Sequence, residues 1–191
     1  MHINQVKTAF KVAEVILDKE HKERKIKFIF LDKIKDENKK IIDKKILKED
    51  TGRIYLLVSD GIIKKIGGSQ CKGGIKTTMS FYQGGMQGGP SIRTYGIHLL
   101  LEEELKKGKK VEVYMINLTK QKAKVKGLFD EDLMDTTSFK ESENKCKKDY
   151  KLKEGDYPPW NFQEKGKPWR QDIQLKWDKH NKTRKSFNRK K

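Results

Sequence analysis

Arg53-Ile54-Tyr55-Leu56-Leu57-Val58-Ser59 is a run of strand formers that stops at Asp60-Gly61 and is answered by Ile62-Ile63-Lys64-Lys65-Ile66. Asp and Gly tolerate the positive φ that a tight turn needs. The stretch therefore predicts a β-hairpin, broken after Ile66 by Gly67-Gly68-Ser69. Taken alone, the same pattern fits any surface hairpin.

Two glycine-rich segments follow, at Gly67–Gly74 and Gly84–Pro90, where glycine is too frequent for a regular helix or strand. Neither contains the Gly-x-x-x-x-Gly-Lys-Ser/Thr spacing of a nucleotide-phosphate loop. Such backbone can approach a phosphate chain closely with its N–H groups, and Lys72 and Lys76 sit within this region. Tyr82 is suited to stacking on a base or packing on the sheet, and Phe81 to packing. Ser91 is placed to cap a helix that carries Arg93, Tyr95, Ile97, His98 and Leu99–Leu101, and that stops at Lys106-Lys107-Gly108. Lys110–Asn117 alternates as a central strand, and Lys122–Lys126 adds another. A second helix is expected over 136–150, with Ser138 and Glu141 at capping-box spacing and Phe139, Cys146 and Tyr150 on its packing side. Pro158-Pro159-Trp160-Asn161-Phe162 comes next. The tail holds Trp169, Arg170 and Trp177, suited to stacking and phosphate contact or to anchoring the core. It is expected to be ordered to about Trp177 and mobile beyond.

Upstream of the hairpin, Val6, Phe10, Ala13, Ile16 and Leu17 fall at helical spacing, which predicts an amphipathic helix over 4–20. Ile26–Leu31 reads as a strand and 32–50 as charged helix or loop. Nothing before Tyr55 carries chemistry. The organisation expected is an N-terminal extension over 1–50, a core over 51–161 and a basic C-terminal extension over 162–191.

Charge narrows the partners. The net charge is +18, spread as +4 over 1–50, +6 over 51–150 and +8 over 151–191. A polyanion is the natural partner of such a surface, nucleic acid first. An anionic membrane is set aside, because no apolar helix face lies beside the charge. No segment reaches the roughly 18 apolar residues of a membrane span, and no secretory signal is visible at the start. Cys71 and Cys146 form neither a disulfide framework nor a zinc pattern, which fits a reducing cytoplasm.

A strand with Ile54-Tyr55, a turn, and a strand ending Lys65-Ile66-Gly67-Gly68-Ser69 resembles the paired signature of the GIY-YIG nuclease family. Arg53 stands where the family often has Gly. Lys65 stands where it usually has a second Tyr, as in some restriction endonucleases of the family. Arg93 near the start of the next helix, and Glu143 on a helix followed by lysines, Tyr150 and Pro159-Trp160-Asn161, continue the resemblance in order over about 51–161. It implies an α/β (α+β) core: a small three-stranded, mostly antiparallel sheet flanked by helices. It also implies an endonuclease acting on double-stranded DNA with Mg²⁺ or another divalent ion such as Mn²⁺. The catalytic set implied is Tyr55 at the attacking water, Lys65 beside it, Arg93 on the phosphoryl oxygens, His98 next to Ile97 one turn on (Tyr95 its rival) and Glu143 on the metal (Glu141 its rival). Lys72, Lys76, Tyr82, Trp169 and Arg170 are the candidate DNA contacts. A type II restriction enzyme, as a possible homodimer on a palindromic site, is the closest fit. The alternatives are a homing or repair endonuclease, or an inactive nucleic-acid-binding module.

Overall fold

The computed structural model describes residues 1–21, 25–118, 122–126, 128–135 and 139–188. Its centre is the expected hairpin, β5 (Arg53–Ser59) and β6 (Ile62–Ser69). Asp60 and Gly61 turn it with φ of 47° and 76°, the positive pair that a two-residue hairpin turn requires. β7 (Val111–Asn117) pairs antiparallel with β5 along its whole length, from Arg53↔Asn117 to Ser59↔Val111.

Among the described residues the sheet has five strands, in the order β2 (Ile26–Phe30), β1 (Phe10–Leu17), β7, β5, β6, and every pairing is antiparallel. Three strands were expected. The two extra ones, β1 and β2, come from the N-terminal segment and extend the sheet beyond β7. The expected helix over 4–20 is therefore replaced by one short 3-10 turn, Ile3–Gln5, and strand β1. A register shift between Lys11 and Ala13 is the reason. A bulge adds one residue to a two-residue period, so buried Phe10, Val12, Ala13 and Val15 lose their simple alternation and mimic helical spacing. The β-branched Val12, Val15 and Ile16 still favour a pleated strand. Residues 32–50 form β3 (Ile34–Lys35), β4 (Ile41–Ile42) and a 3-10 turn over Lys44–Leu47.

Each face of the sheet has its own apolar cluster. Tyr55, Leu57, Val113 and Met115 face Ile75 and Met79 of α1 (Gly74–Gln83) and Ile97 and Leu101 of α2 (Ile92–Lys106). Ile54, Leu56, Val58 and Ile66 face Ile3 and Tyr150 of α3 (Phe139–Glu154). This is the two-residue alternation of β5 with both sides covered. α1 was not expected within the glycine-rich region. Its glycines sit at the ends: Gly73 and Gly74, with φ of 81° and 73°, open it, and Gly84 closes it. Its last turn exposes Phe81 and buries Tyr82, the reverse of the packing role read for Phe81.

α2 keeps its expected limits. The Ser91 hydroxyl accepts from the Thr94 N–H at 3.2 Å, and Gly108, with φ of 76°, closes the far end. The capping role of Ser138 lies outside the described residues. β8 (Lys122–Lys126) forms as expected and pairs with β9 (Glu131–Asp135). Within the tail, Gln171–Asn188 form a helix, α4. It packs on α2, and its Trp177 indole donates to the Pro90 carbonyl at 2.9 Å.

Candidate active site

Tyr55 sits opposite Gly67 in the β5–β6 ladder. A Cβ on Gly67 would lie 2.3 Å from the phenol oxygen. Only glycine lets the ring of Tyr55 lie across the neighbouring strand. Lys65, two residues before Gly67, projects from the same face. Residue 68 makes a second close approach, since a Cβ there would come within 2.7 Å of Glu143 Oε2. Gly68 thus lets α3 bring its carboxylate down onto β6.

The outer edge of β6 is covered by the Pro-Trp-Asn segment. Trp160 N–H donates to the Lys64 carbonyl at 2.8 Å. The buried Asn161 amide accepts from Ile66 N–H and donates to Ile66 C=O, both at 2.9 Å. An otherwise open strand edge is thereby paired, and the residues after Asn161 are carried to the mouth of the site.

There Tyr55, Lys65, Gly67, Gly68, Arg93, Glu143, Trp160, Phe162, Glu164 and Trp169 line one pocket of about 50 Å³. Four of the five residues expected to be catalytic meet here, from β5, β6, α2 and α3. Arg93 is exposed in the first turn of α2, where the positive end of the helix also favours an anion. Trp169 reaches the wall by packing on α2 at Gly96, where a Cβ would lie 2.4 Å from its ring. It also stacks on Phe162 with ring centroids 4.5 Å apart.

Two residues missing from the sequence reading complete the charge pattern. The Lys147 ammonium bridges Glu143, at 2.5 Å, and Glu164. Lys147 follows Glu143 by one helical turn, an ion-pair spacing visible in the sequence. Glu164 has no such signal, because only the docking of Asn161 brings it in. The pocket region thus holds two carboxylates against Lys65, Arg93 and Lys147, leaving net positive charge for a phosphate. Burial pushes the Lys65 ammonium down to about 8, although Glu164 opposes that shift. Burial pushes the Tyr55 phenol well above its ordinary value, with Tyr82 and Glu143 adding to the effect. Burial works against the charge on Lys147, but its bonds to Glu143 and Glu164 win and hold its pKa up.

Other expected site residues lie elsewhere. His98 is fully buried away from the pocket, its Nδ1 2.8 Å from the Tyr82 carbonyl. Its rival Tyr95 is buried too, stacked on His180 at 5.5 Å. The two are on the core side of α2 because its outer face carries Arg93. Tyr82 is no stacking platform, since its hydroxyl is 2.7 Å from that of Tyr55 beneath the surface. Arg170 is held by Glu103 at 2.7 Å and by Asp172 at 2.9 Å, so its charge is already met. Lys72 is exposed. Lys76 is half-buried, its ammonium 5.3 Å from the centre of the Phe30 ring. Glu141 is exposed on α3 and does not line the pocket.

Among the described residues, no three His, Cys, Asp or Glu side chains converge into a metal cage. Glu143 and Glu164 are the donors available. Mg²⁺ is commonly held by one or two carboxylates, with water and substrate phosphate completing its shell. The donor set fits an ion shared with a phosphate.

No family model and no curated protein matches the chain. Its structure is similar to that of a mutant of EndoII of bacteriophage T4, with a TM-score of 0.52 and 18% identity over 84% of this chain and 98% of the other. It is also similar to the restriction endonuclease HPY188I in complex with product DNA, with a TM-score of 0.44 and 20% identity over 80% and 79% of the two chains. The first likeness establishes a shared α+β fold.

Proposed function

We propose that the chain is a divalent-metal-dependent DNA endonuclease of the GIY-YIG type, cutting at a specific site and most like a type II restriction enzyme. The observation that carries this reading is the convergence of Tyr55, Lys65, Arg93 and Glu143 from four elements onto one pocket. The fold shared with the phage endonuclease supports it, and a net charge of +18 suits double-stranded DNA as the partner.

In this reading Arg93 takes the non-bridging oxygens of the scissile phosphate, where charge builds as the phosphorus becomes five-coordinate. The Tyr55 hydroxyl, kept neutral by burial, orients the attacking water. Lys65, with a pKa of about 8, is suited to exchanging a proton near neutral pH. Glu143, with Glu164 beside it, would hold Mg²⁺. When bound, the ion supplies charge to the phosphate and acidifies its bound water. Trp169 forms an apolar wall for a sugar or base, and a homodimer would match a palindromic site.

The test is incubation of supercoiled plasmid and phage DNA with the purified chain, in Mg²⁺ and in EDTA. Discrete fragments in Mg²⁺ alone are expected. Binding without cleavage under Mg²⁺ and Mn²⁺ would instead leave a nucleic-acid-binding module.

A further inference from the structure

A second phenol lies directly behind Tyr55, outside the pocket lining. It comes from the end of α1. Tyr82 Oη lies 2.7 Å from Tyr55 Oη, and the rings meet edge-on at 6.1 Å. Both side chains are buried, but only Tyr55 lines the pocket.

That difference orders the protons. Two hydroxyls share one bond, so one hydrogen is left over. If Tyr55 donated, the spare hydrogen would be on Tyr82, away from the pocket, with no other hydroxyl partner there among the described hydrogen bonds. A buried O–H without an acceptor bears the full loss of its hydration. If Tyr82 donates, the spare hydrogen belongs to Tyr55 and points into the pocket, where water or phosphate can accept it. The second arrangement satisfies every group.

Tyr82 is itself held. The His98 ring donates from Nδ1 to the Tyr82 carbonyl at 2.8 Å. Its Nε2 is the one buried side-chain nitrogen or oxygen without a partner among the described residues, which fits a neutral ring protonated on Nδ1. A Cβ on Gly85 would lie 2.7 Å from His98 Cβ, so the glycine after α1 permits this contact. The charged groups that act on both phenols are Arg93 and Glu143.

We propose that Tyr82 is a positioning residue for Tyr55: its hydroxyl donates to Tyr55 Oη and turns the Tyr55 proton toward the substrate, while His98 anchors Tyr82 in place. The role rests on the nuclease reading, but the hydroxyl pair does not. Tyr82 thereby fixes the orientation of the Tyr55 hydroxyl at the pocket, and does so without touching DNA.

Tyr82→Phe tests this, because it keeps the ring and removes only the hydroxyl. It should bind DNA as the natural chain does and cleave roughly 10- to 100-fold more slowly, as loss of an orienting partner usually does. Carbon-13 NMR of tyrosine Cζ, on the protein without DNA, should show the Tyr55 signal displaced in the variant. His98→Asn, which retains a donor, should preserve the rate, whereas His98→Leu should reduce it. Unchanged rate and Tyr55 signal in Tyr82→Phe would overturn the proposal. Should the natural chain cut no DNA, the nuclease reading falls, and the NMR signal decides the pair by itself: displacement upholds it, no displacement refutes it.

Discussion

Glu104 and Glu143 are both largely shielded from solvent, at opposite ends of the same hairpin, and both face lysines. Glu104 Oε2 accepts from the Ser59 hydroxyl at 2.6 Å and from Lys109 at 3.0 Å, with Lys64 at 3.9 Å. Burial works to raise its pKa, but these partners outweigh burial and hold it low. Glu143 has one oxygen on Lys147, while the other lies against Gly68 at the pocket wall. The first carboxylate is closed by its neighbours and ties α2 to the end of β5. The second is held on one side and open on the other, beside Lys65 and Arg93. Burial and charge are common to the two; what differs is whether coordination has been left over for something else.

Substitution at the two positions breaks the comparison most sharply. Glu143→Gln should reduce Mg²⁺-dependent cleavage by at least about 100-fold, the scale on which a single electrostatic group acts in a transition state, and leave urea stability within about 1 kcal/mol. Glu104→Gln should cleave within about 3-fold of the natural chain but lose about 1–3 kcal/mol in urea melts, because buried Ser59 and the lysines exchange a charged carboxylate for a neutral amide with a single acceptor oxygen. Reversed phenotypes would mean that the open carboxylate has been misassigned.

The glycines that shape the site offer the next contrast. Gly67→Ala sets a Cβ 2.3 Å from the Tyr55 oxygen, so the phenol must leave its place. Cleavage should fall about 10- to 100-fold, in line with loss of an oriented group, while a gel-shift assay shows DNA binding retained.

Lys65 gives a stability effect of unusual sign. Its pKa is about 8 in the fold against 10.5 in the open chain. The unfolded chain therefore binds more protons between these values, and folding stability should rise as pH goes from about 8 to 10.5. Lys65→Met should remove that slope, raise stability at pH 7 by about 1–3 kcal/mol by eliminating a buried charge, and abolish cleavage. Chemical denaturation at several pH values checks both the slope and the offset.

His98 should give the smallest effect, and on the acid side. Burial lowers its pKa below 6.5, so the unfolded chain protonates first as pH falls. Stability should decline below pH 6.5, at up to about 1.4 kcal/mol per pH unit, and level off below the folded value. His98→Asn should flatten this decline.

How far the fold could be read in advance varied with period and distance. The hairpin, α2, β7 and β8 announce themselves through local turn, cap and alternation signals, and all are present. The bulge in β1 concealed a strand as a helix. Terminal glycines concealed α1, because their density argues against a helix although they lie only at its ends. In the site, Tyr55, Lys65, Arg93 and Glu143 were accessible through a resemblance carried by short motifs. Glu164 was not, since it arrives through Asn161 bonding to Ile66, 95 residues away in the chain. His98 and Tyr82 were read as surface chemistry, but α1 and α2 pack them inward, a property of helix rotation that spacing near Arg93 did not reveal.

The central claim is that one open carboxylate on α3 serves a metal-assisted cut at the pocket where Tyr55, Lys65 and Arg93 meet. Its most direct test is a side-by-side assay of Glu143→Ala and Glu104→Ala on plasmid DNA in Mg²⁺, with gel-shift binding measured on the same preparations. The account predicts that Glu143→Ala binds but does not cut, while Glu104→Ala, at a temperature where it remains folded, does both. Cleavage by Glu143→Ala at the natural rate would contradict it.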